Sequence, residues 1–520
     1  MLNSSQFKFM NMKLIVLSFS RLKLHYIIFM VVSLFIFSSC EKNLENVTYG
    51  DFSSDTFFKS ESDATASVSA MYTGMLEGYA WSAGWGAAQG SFRVQASQTT
   101  DESVCYWGDG GRWANLKALN FTPDFSPVTG HYTILVPYIS EIAIYLDKIQ
   151  GIDMDEELKQ QYIAELKALR AYYSQILYLY YGPVPIRTDA AEINNSSTAV
   201  LSRPTNDEML TQILKDYSDA IAVLPNTFTG SDYGRFSKAA CLTARMKLYM
   251  QEKEWDLAIA DGEAIKDMGI FSLVKNYEDN FNYNNKGGNS EIIFPIVCSP
   301  TAYPYINLWL AHALPSDYVD PTGIPLTAWG GYRMPWETYD KFNQNDERLN
   351  VLLQKYPVSI DDSGNIGYRD ARAGGDIGAV MVKFGPDPTE TDSQNSGVDY
   401  PVFRYADVEL LLAEAINNKN GVPTDEAYSL INNVRIRAGL PAYENGSMSQ
   451  FQFLTAIQNE RLFELWAEGV RRDDLIRWGL YIQRAIDDGY SVDDHVILYP
   501  IPRDVINESN GIIEQNPGYI

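Results

Sequence analysis

The chain has 520 residues, 46% of them hydrophobic, which is enough to bury a large core. It carries 66 acidic against 41 basic residues, a formal net charge of −25. That balance excludes a nucleic-acid binder, which needs a basic patch for phosphates, and disfavours electrostatic docking on anionic lipid.

The N-terminus reads as an address. Arg21 and Lys23 precede a charge-free apolar run, Tyr26–Ser39, which ends in the small pair Ser38–Ser39 just before Cys40. Positive n-region, apolar h-region and small residues at the cleavage point make a secretory signal. A cysteine at that point is what a bacterial lipoprotein pathway acylates. The expectation is a signal over 1–39, lipidation at Cys40 and a polar tether over 40–54. The competing readings are a plain secretory signal and an uncleaved anchor; against the anchor, the run has 14 residues, where a spanning helix needs about 20. Without its first 39 residues, which hold four basic residues and no acid, the chain has a formal net charge of −29.

From Asp55 to Leu76 the pattern predicts a helix. Glu77–Pro127 is irregular, rich in Gly, Ser, Asp and Trp, and holds Trp81, Trp85, Tyr106, Trp107 and Trp113. A long irregular segment inside a compact domain is usually functional or disordered, and the aromatic content argues against disorder. Leu158–Tyr181 sets Tyr162, Leu166, Leu169, Tyr173, Ile176 and Tyr180 at spacings of four and three, one apolar stripe of a helix. Thr205 and Glu208 form a capping box for the next helix, and Pro225 ends it. Ser237–Met250 and Glu254–Asp267 read as an antiparallel pair of tetratricopeptide type, although the repeat is degenerate.

Asn276–Asp399 is again loop-rich, with Tyr303, Tyr305, Trp309, Trp329, Tyr332 and Trp336, and Glu291–Val297 reads as a strand. Helices return at Arg404–Asn417, Thr424–Arg437 and Ser449–Glu468. The expected fold class is mainly α: tetratricopeptide-like helix pairs, long irregular loop insertions and a few short strands. It divides into an N-terminal region, 55–275, and a C-terminal region, 276–520.

Catalytic signatures are missing: there is no HExxH, GxSxG or P-loop. Asp361–Gly367 resembles a calcium loop, but Arg372 stands where a bidentate Glu is needed. Paired carboxylates for glycoside hydrolysis are not excluded by counting. Glu460, Glu464 and Glu468 share a helix face, with Arg461, Arg471, Arg472 and Arg477 nearby, which favours a structural ion-pair network over a raised-pKa acid. Cys241 reads as a buried small hydrophobe, and a Cys105–Cys298 bridge stays open. No cofactor or metal is expected.

Four segments carry a resemblance: Asn459–Gly479 (NERLFELWAEGVRRDDLIRWG), Tyr499–Tyr519 (YPIPRDVINESNGIIEQNPGY), Arg170–Pro185 (RAYYSQILYLYYGPVP) and Arg404–Ala415 (RYADVELLLAEA). They resemble the SusD/RagB family of Bacteroidetes outer-membrane lipoproteins, over the whole chain from Cys40 to Tyr519. The resemblance implies a helical, non-enzymatic protein anchored by lipid at the outer membrane. It implies a lid on a SusC-type TonB-dependent transporter that captures oligosaccharides, or in some members peptides. Within the motifs, Arg461, Glu464, Arg471 and Trp478 read as packing and ion pairs rather than ligand contacts.

The resemblance also implies a glycan site made of aromatic residues from the two irregular insertions. The expected ligand-binding residues are Trp81, Trp85, Trp107 and Trp113 from the first, and Tyr305, Trp309, Trp329 and Tyr332 from the second. Asp101, Asp109 and Arg112 are expected to hydrogen-bond sugar hydroxyls. Alternatives are a peptide-binding lid of the same transporter type and a surface glycoside hydrolase.

Overall fold

Capped amphipathic helices packed in antiparallel pairs make the frame. In the computed structural model, residues 58–75, 90–193, 199–301, 305–361, 363–389 and 393–520 are described, all within one unit, Phe58–Ile520. Cys40, the signal, the tether, Trp81 and Trp85 lie outside the described residues. Helix α1 (Glu61–Met71) begins at a Ser60–Asp63 capping box. Helices α2 (Phe92–Gln98), α3 (Arg112–Lys117) and α4 (Ser126–Lys148) follow. Helix α5 (Glu156–Tyr181) is capped by Asp155, whose carboxylate accepts the Leu158 N–H at 2.9 Å, and it stops at Gly182. The expected stripe of α5 is buried, and so are Ala168, Arg170 and Tyr172 off the stripe.

Helix α6 (Asn206–Ile221) starts at the predicted Thr205–Glu208 box and packs on α5. A buried bidentate pair joins the two: Arg170 donates to both carboxylate oxygens of Asp216 at 2.8 Å. The expected pair follows as α7 (Lys238–Glu252) against α8 (Trp255–Asp267). After a short α9 (Trp309–Ala313), the C-terminal half builds α10 (Tyr405–Asn420), α11 (Asp425–Arg437), α12 (Gln450–Leu465) and α13 (Arg471–Arg477). Helix α10 packs on α8, α11 and α12, so one hydrophobic core runs through both halves.

Among the described residues, eight short strands accompany the helices. A four-stranded antiparallel sheet has the order β1 (Val104–Cys105), β3 (Tyr332–Pro335), β7 (Gly378–Met381), β4 (Leu352–Leu353). Strand β2 (Ile292–Ile296) pairs with β8 (Tyr400–Arg404), and β5 (Lys355–Ser359) with β6 (Ile366–Asp370). The turn after β5 holds the stretch that resembled a calcium loop. There the Asp361 carboxylate accepts the Ser363 and Asn365 N–H groups, as a turn requires. Cys105, Cys241 and Cys298 are all free thiols, so the open Cys105–Cys298 bridge is not formed.

The motif segments meet in space. The Arg472 guanidinium lies 4.0 Å from the centre of the Tyr180 ring and 4.8 Å from that of Tyr499. The Tyr499 N–H donates to the Tyr180 carbonyl at 2.6 Å, and Asn516 bridges the Tyr181 and Tyr499 carbonyls. Arg461 donates to Asp407 at 2.7 Å and to Asp474 at 2.8 Å, and the Trp478 indole donates to Glu414.

The carboxylates of α12 sit in the ion network expected of them, but their main partners come from elsewhere in the chain. Glu464 meets Arg404 at 2.9 Å, Arg437 at 2.5 Å and Arg348 at 3.1 Å. Glu468, just beyond the helix, meets Arg404 at 2.6 Å and Lys383 at 2.7 Å. Glu464, Arg404 and Arg348 have no solvent exposure. Burial alone would raise the Glu464 pKa; Arg437, Arg404 and Arg348 outweigh it and hold the carboxyl well below the usual carboxylate range.

Candidate functional site: an aromatic patch where the two insertions join

Residues more than 220 positions apart meet here because β1, from the first insertion, pairs with β3, from the second. Val104 lies opposite Arg333 and Cys105 opposite Tyr332, and the Tyr106 N–H donates to the Gly331 carbonyl at 2.9 Å. The segment before β3 is tied back onto α9: Trp329, Gly330 and Gly331 donate their N–H groups to the carbonyls of Ala311, Leu314 and His312.

These ladders collect five of the eight expected aromatics around His312. The Trp107 ring centre is 5.3 Å from that of His312, 5.6 Å from Tyr332 and 5.8 Å from Trp113. Trp309 lies 5.1 Å from Tyr332, and Trp329 lies 4.8 Å from His312. Such edge and tilted contacts suit aromatic quadrupoles. The Trp107 indole donates to the Trp329 carbonyl at 2.9 Å, and the Trp309 indole to the Met381 carbonyl at 2.9 Å.

Burial divides the cluster by role. Trp309, Tyr332 and Trp113 are 0%, 0% and 2% exposed, so they form the base of the patch instead of the ligand-facing surface expected of them. Sheet pairing turns Tyr332 inward onto the core, while Trp309 and Trp113 are buried on helices α9 and α3. Trp107 is half-buried, and Trp329, 41% exposed, presents an open ring beside His312. Gly331 is required by closeness. A Cβ there would stand 2.6 Å from the Trp107 ring and 2.9 Å from the His312 carbonyl oxygen.

The polar candidates fall apart. Asp109 is exposed beside the patch, where its carboxylate accepts the Trp113 indole N–H at 2.6 Å. Arg112 is buried, its guanidinium 5.8 Å from the Trp113 ring centre, so it braces the base. Asp101 is removed from the site altogether. Both its oxygens accept from Arg471 at 2.9 Å, and Lys341 lies 3.3 Å away. Burial opposes its ionisation, but Arg471 wins and holds the carboxyl well below the usual range. Arg471 is thereby committed to structure as well. Asp101 also lines a charged hollow of about 580 Å³ with Lys117, Glu337 and Arg484. Tyr305, 38% exposed, borders a different hollow of about 340 Å³ with Tyr72, Tyr233 and Val297.

Tyr106 was not among the expected residues. It is 43% exposed, more than Trp329 or Tyr305, and it lies next to Trp107 just after β1. Its signal in the sequence is the aromatic pair Tyr106-Trp107, of which the expected site includes only the Trp.

Two family models match this chain. One, described as the SusD family, covers residues 270–496; the other, described as "Starch-binding associating with outer membrane", covers residues 49–250. The chain belongs to the SusD family. SusD-like protein P25 of Formosa agariphila is 28% identical over 539 residues, covering 96% of this chain and all of that protein. The starch-binding protein SusD of Bacteroides thetaiotaomicron is 24% identical, covering 81% of this chain and 84% of that one. A solved structure described as a laminarin-binding SusD-like protein superposes with a TM-score of 0.74 at 24% identity, over 89% of this chain and all of that one. The SusD fold, mainly helical with few short strands, is therefore this chain's fold.

Proposed function

We propose that this SusD-family chain is a glycan-binding lipoprotein of the cell surface. It captures oligosaccharides on the aromatic patch and hands them to a SusC-type TonB-dependent transporter in the outer membrane. One observation carries the proposal: an exposed Trp329 ring lies against His312, and Trp107 holds its backbone carbonyl, where the two insertions join. A sugar ring has an apolar face that stacks on an indole, and a fixed indole loses little entropy when it does. Asp109 supplies an exposed carboxylate for hydroxyls at the rim. The relatives support the class of ligand but not its identity, since one is named for starch and another for laminarin. Anchoring through Cys40 and the 40–54 tether would keep the protein at its partner while it moves.

The test is a Trp329→Ala variant titrated with starch-derived and laminarin-derived oligosaccharides. Affinity for whichever the unaltered protein binds should fall at least tenfold, about 1.4 kcal/mol. Unchanged affinity would remove Trp329 from the site. Metabolic labelling with a palmitate analogue tests the anchor: label retained by Cys40→Ala would refute lipidation there.

A further inference from the structure

Strand β1 lies at the edge of its sheet, and its register decides which way each residue faces. The Tyr106 N–H donates inward to Gly331. In an antiparallel ladder successive residues alternate, so Cys105, opposite Tyr332, turns its N–H and C=O outward, away from the sheet. Side chains alternate as well. Trp107 and Tyr332 share one face, and Tyr106 and Arg333 share the other, as their ring and guanidinium contacts show.

Tyr106 is held at both ends while its outer face stays open. The Arg333 guanidinium, 3% exposed, supports the ring from beneath at 5.4 Å. The phenol oxygen accepts the Ile377 N–H at 2.9 Å and lies 3.4 Å from the Asp376 carboxylate. A ring fixed in this way has already lost the freedom that binding would cost it.

We propose that Tyr106 and the outward backbone of Cys105 form a second subsite, across the edge of β1 from Trp329. The inference rests on the glycan reading above and extends it: a longer oligosaccharide crosses the strand edge and stacks a further sugar on Tyr106. The Cys105 N–H and C=O offer one donor and one acceptor to hydroxyls at the crossing. A peptide adding as a strand would need a run of such groups, and β1 is two residues long. A neutral oligosaccharide needs only one pair between two rings. Arg333 acts as a positioning residue through Tyr106.

The experiment compares the full chain with Tyr106→Ala, Tyr106→Phe and Trp329→Ala. Short and long members of the laminari- and malto-oligosaccharide series are the probes, read by calorimetric titration. In the series that the unaltered chain binds, Tyr106→Ala should lose about fivefold to tenfold in affinity for the long member and nothing for the short one. Tyr106→Phe, which keeps the ring, should retain most of the affinity. Trp329→Ala should weaken both lengths. Unaltered long-member affinity in Tyr106→Ala, with Trp329→Ala still defective, overturns the second subsite alone. Unaltered affinity in both Ala variants removes the aromatic patch from the binding site, second subsite included, and absence of binding to either series by the unaltered chain overturns the glycan reading itself.

Discussion

Gly331→Ala probes how tightly the base of the patch is built. The added Cβ would stand 2.6 and 2.7 Å from two carbons of the Trp107 ring and 2.9 Å from the His312 carbonyl oxygen. Ordinary carbon contacts begin near 3.4 Å, so something must yield by about 0.8 Å. The carbonyl is held by the Gly331 N–H at 2.7 Å, which leaves the Trp107 ring to move. Its indole N–H then loses alignment with the Trp329 carbonyl, now at 2.9 Å. Overpacking of this kind costs about 1–3 kcal/mol. The folded unit, Phe58–Ile520, spans about 460 residues, so its unfolding entropy is on the order of 1 kcal/mol/K and the melting temperature should fall only about 1–3 °C. Binding is the sensitive readout, because the displaced ring supports Trp329. A tenfold loss of glycan affinity is expected, measured by calorimetric titration. A double-mutant cycle with Trp107→Ala isolates the cause. With the indole gone, Gly331→Ala should cost little more in stability. An equal cost in both backgrounds would refute the reasoning, because the strain would then come from the backbone and not from the ring.

Three further variants test other parts of the molecule. Tyr332 is fully buried and its hydroxyl has no partner among the described residues, so Tyr332→Phe should leave stability unchanged or raise it by about 1 kcal/mol in urea unfolding; a clear loss would reveal a bonded hydroxyl. Glu464→Gln removes the charge that three buried guanidiniums share and should cost about 3–5 kcal/mol by the same measurement; a cost under 1 kcal/mol would mean that the other carboxylates suffice. Glu409 is pushed up to about 7 by burial, against an Asn433 amide that donates to it at 2.8 Å. Its folded pKa is raised, so the folded state holds a proton that the unfolded chain releases near pH 4.3. Its effect on stability therefore turns unfavourable as pH rises from about 4.3 to 7, and levels off above. Glu409→Gln should gain on the parent across that window, and a difference that does not change with pH would refute the shift.

The frame was legible in the sequence because its signals are local. The Thr205–Glu208 box occupies one turn of helix, and the stripe of α5 lies within a single helix. Helix α4 has a stripe of its own, Val128, Tyr132, Leu135, Ile139 and Ile142, but Gly130 and Pro137 within it and an N-cap Phe125 without a side-chain bond masked it. Helix α2 was invisible for a different reason. All seven of its residues are buried, including Arg93, Gln95 and Gln98, so it has no polar face and no period to detect. The site was half legible. Composition marks both insertions as aromatic, but only the β1–β3 register, set by partners some 230 residues apart, decides which rings face out.

That register also explains why choosing the largest rings misplaced some of them. Trp309, Trp113 and Tyr332 are the residues best able to fill a gap between a helix and a two-residue strand, and burial claims them for that purpose. What remains at the surface is what the packing does not need: Trp329, anchored through its backbone, and Tyr106, anchored through its hydroxyl. A patch of this construction separates its two tasks. The buried rings and the β1–β3 ladder fix the backbone. The exposed rings can then change between relatives at little cost to the fold, since an exposed ring contributes little burial energy. In this chain, ligand preference is therefore expected to reside at positions 106 and 329, and the fold at positions 113, 309 and 332.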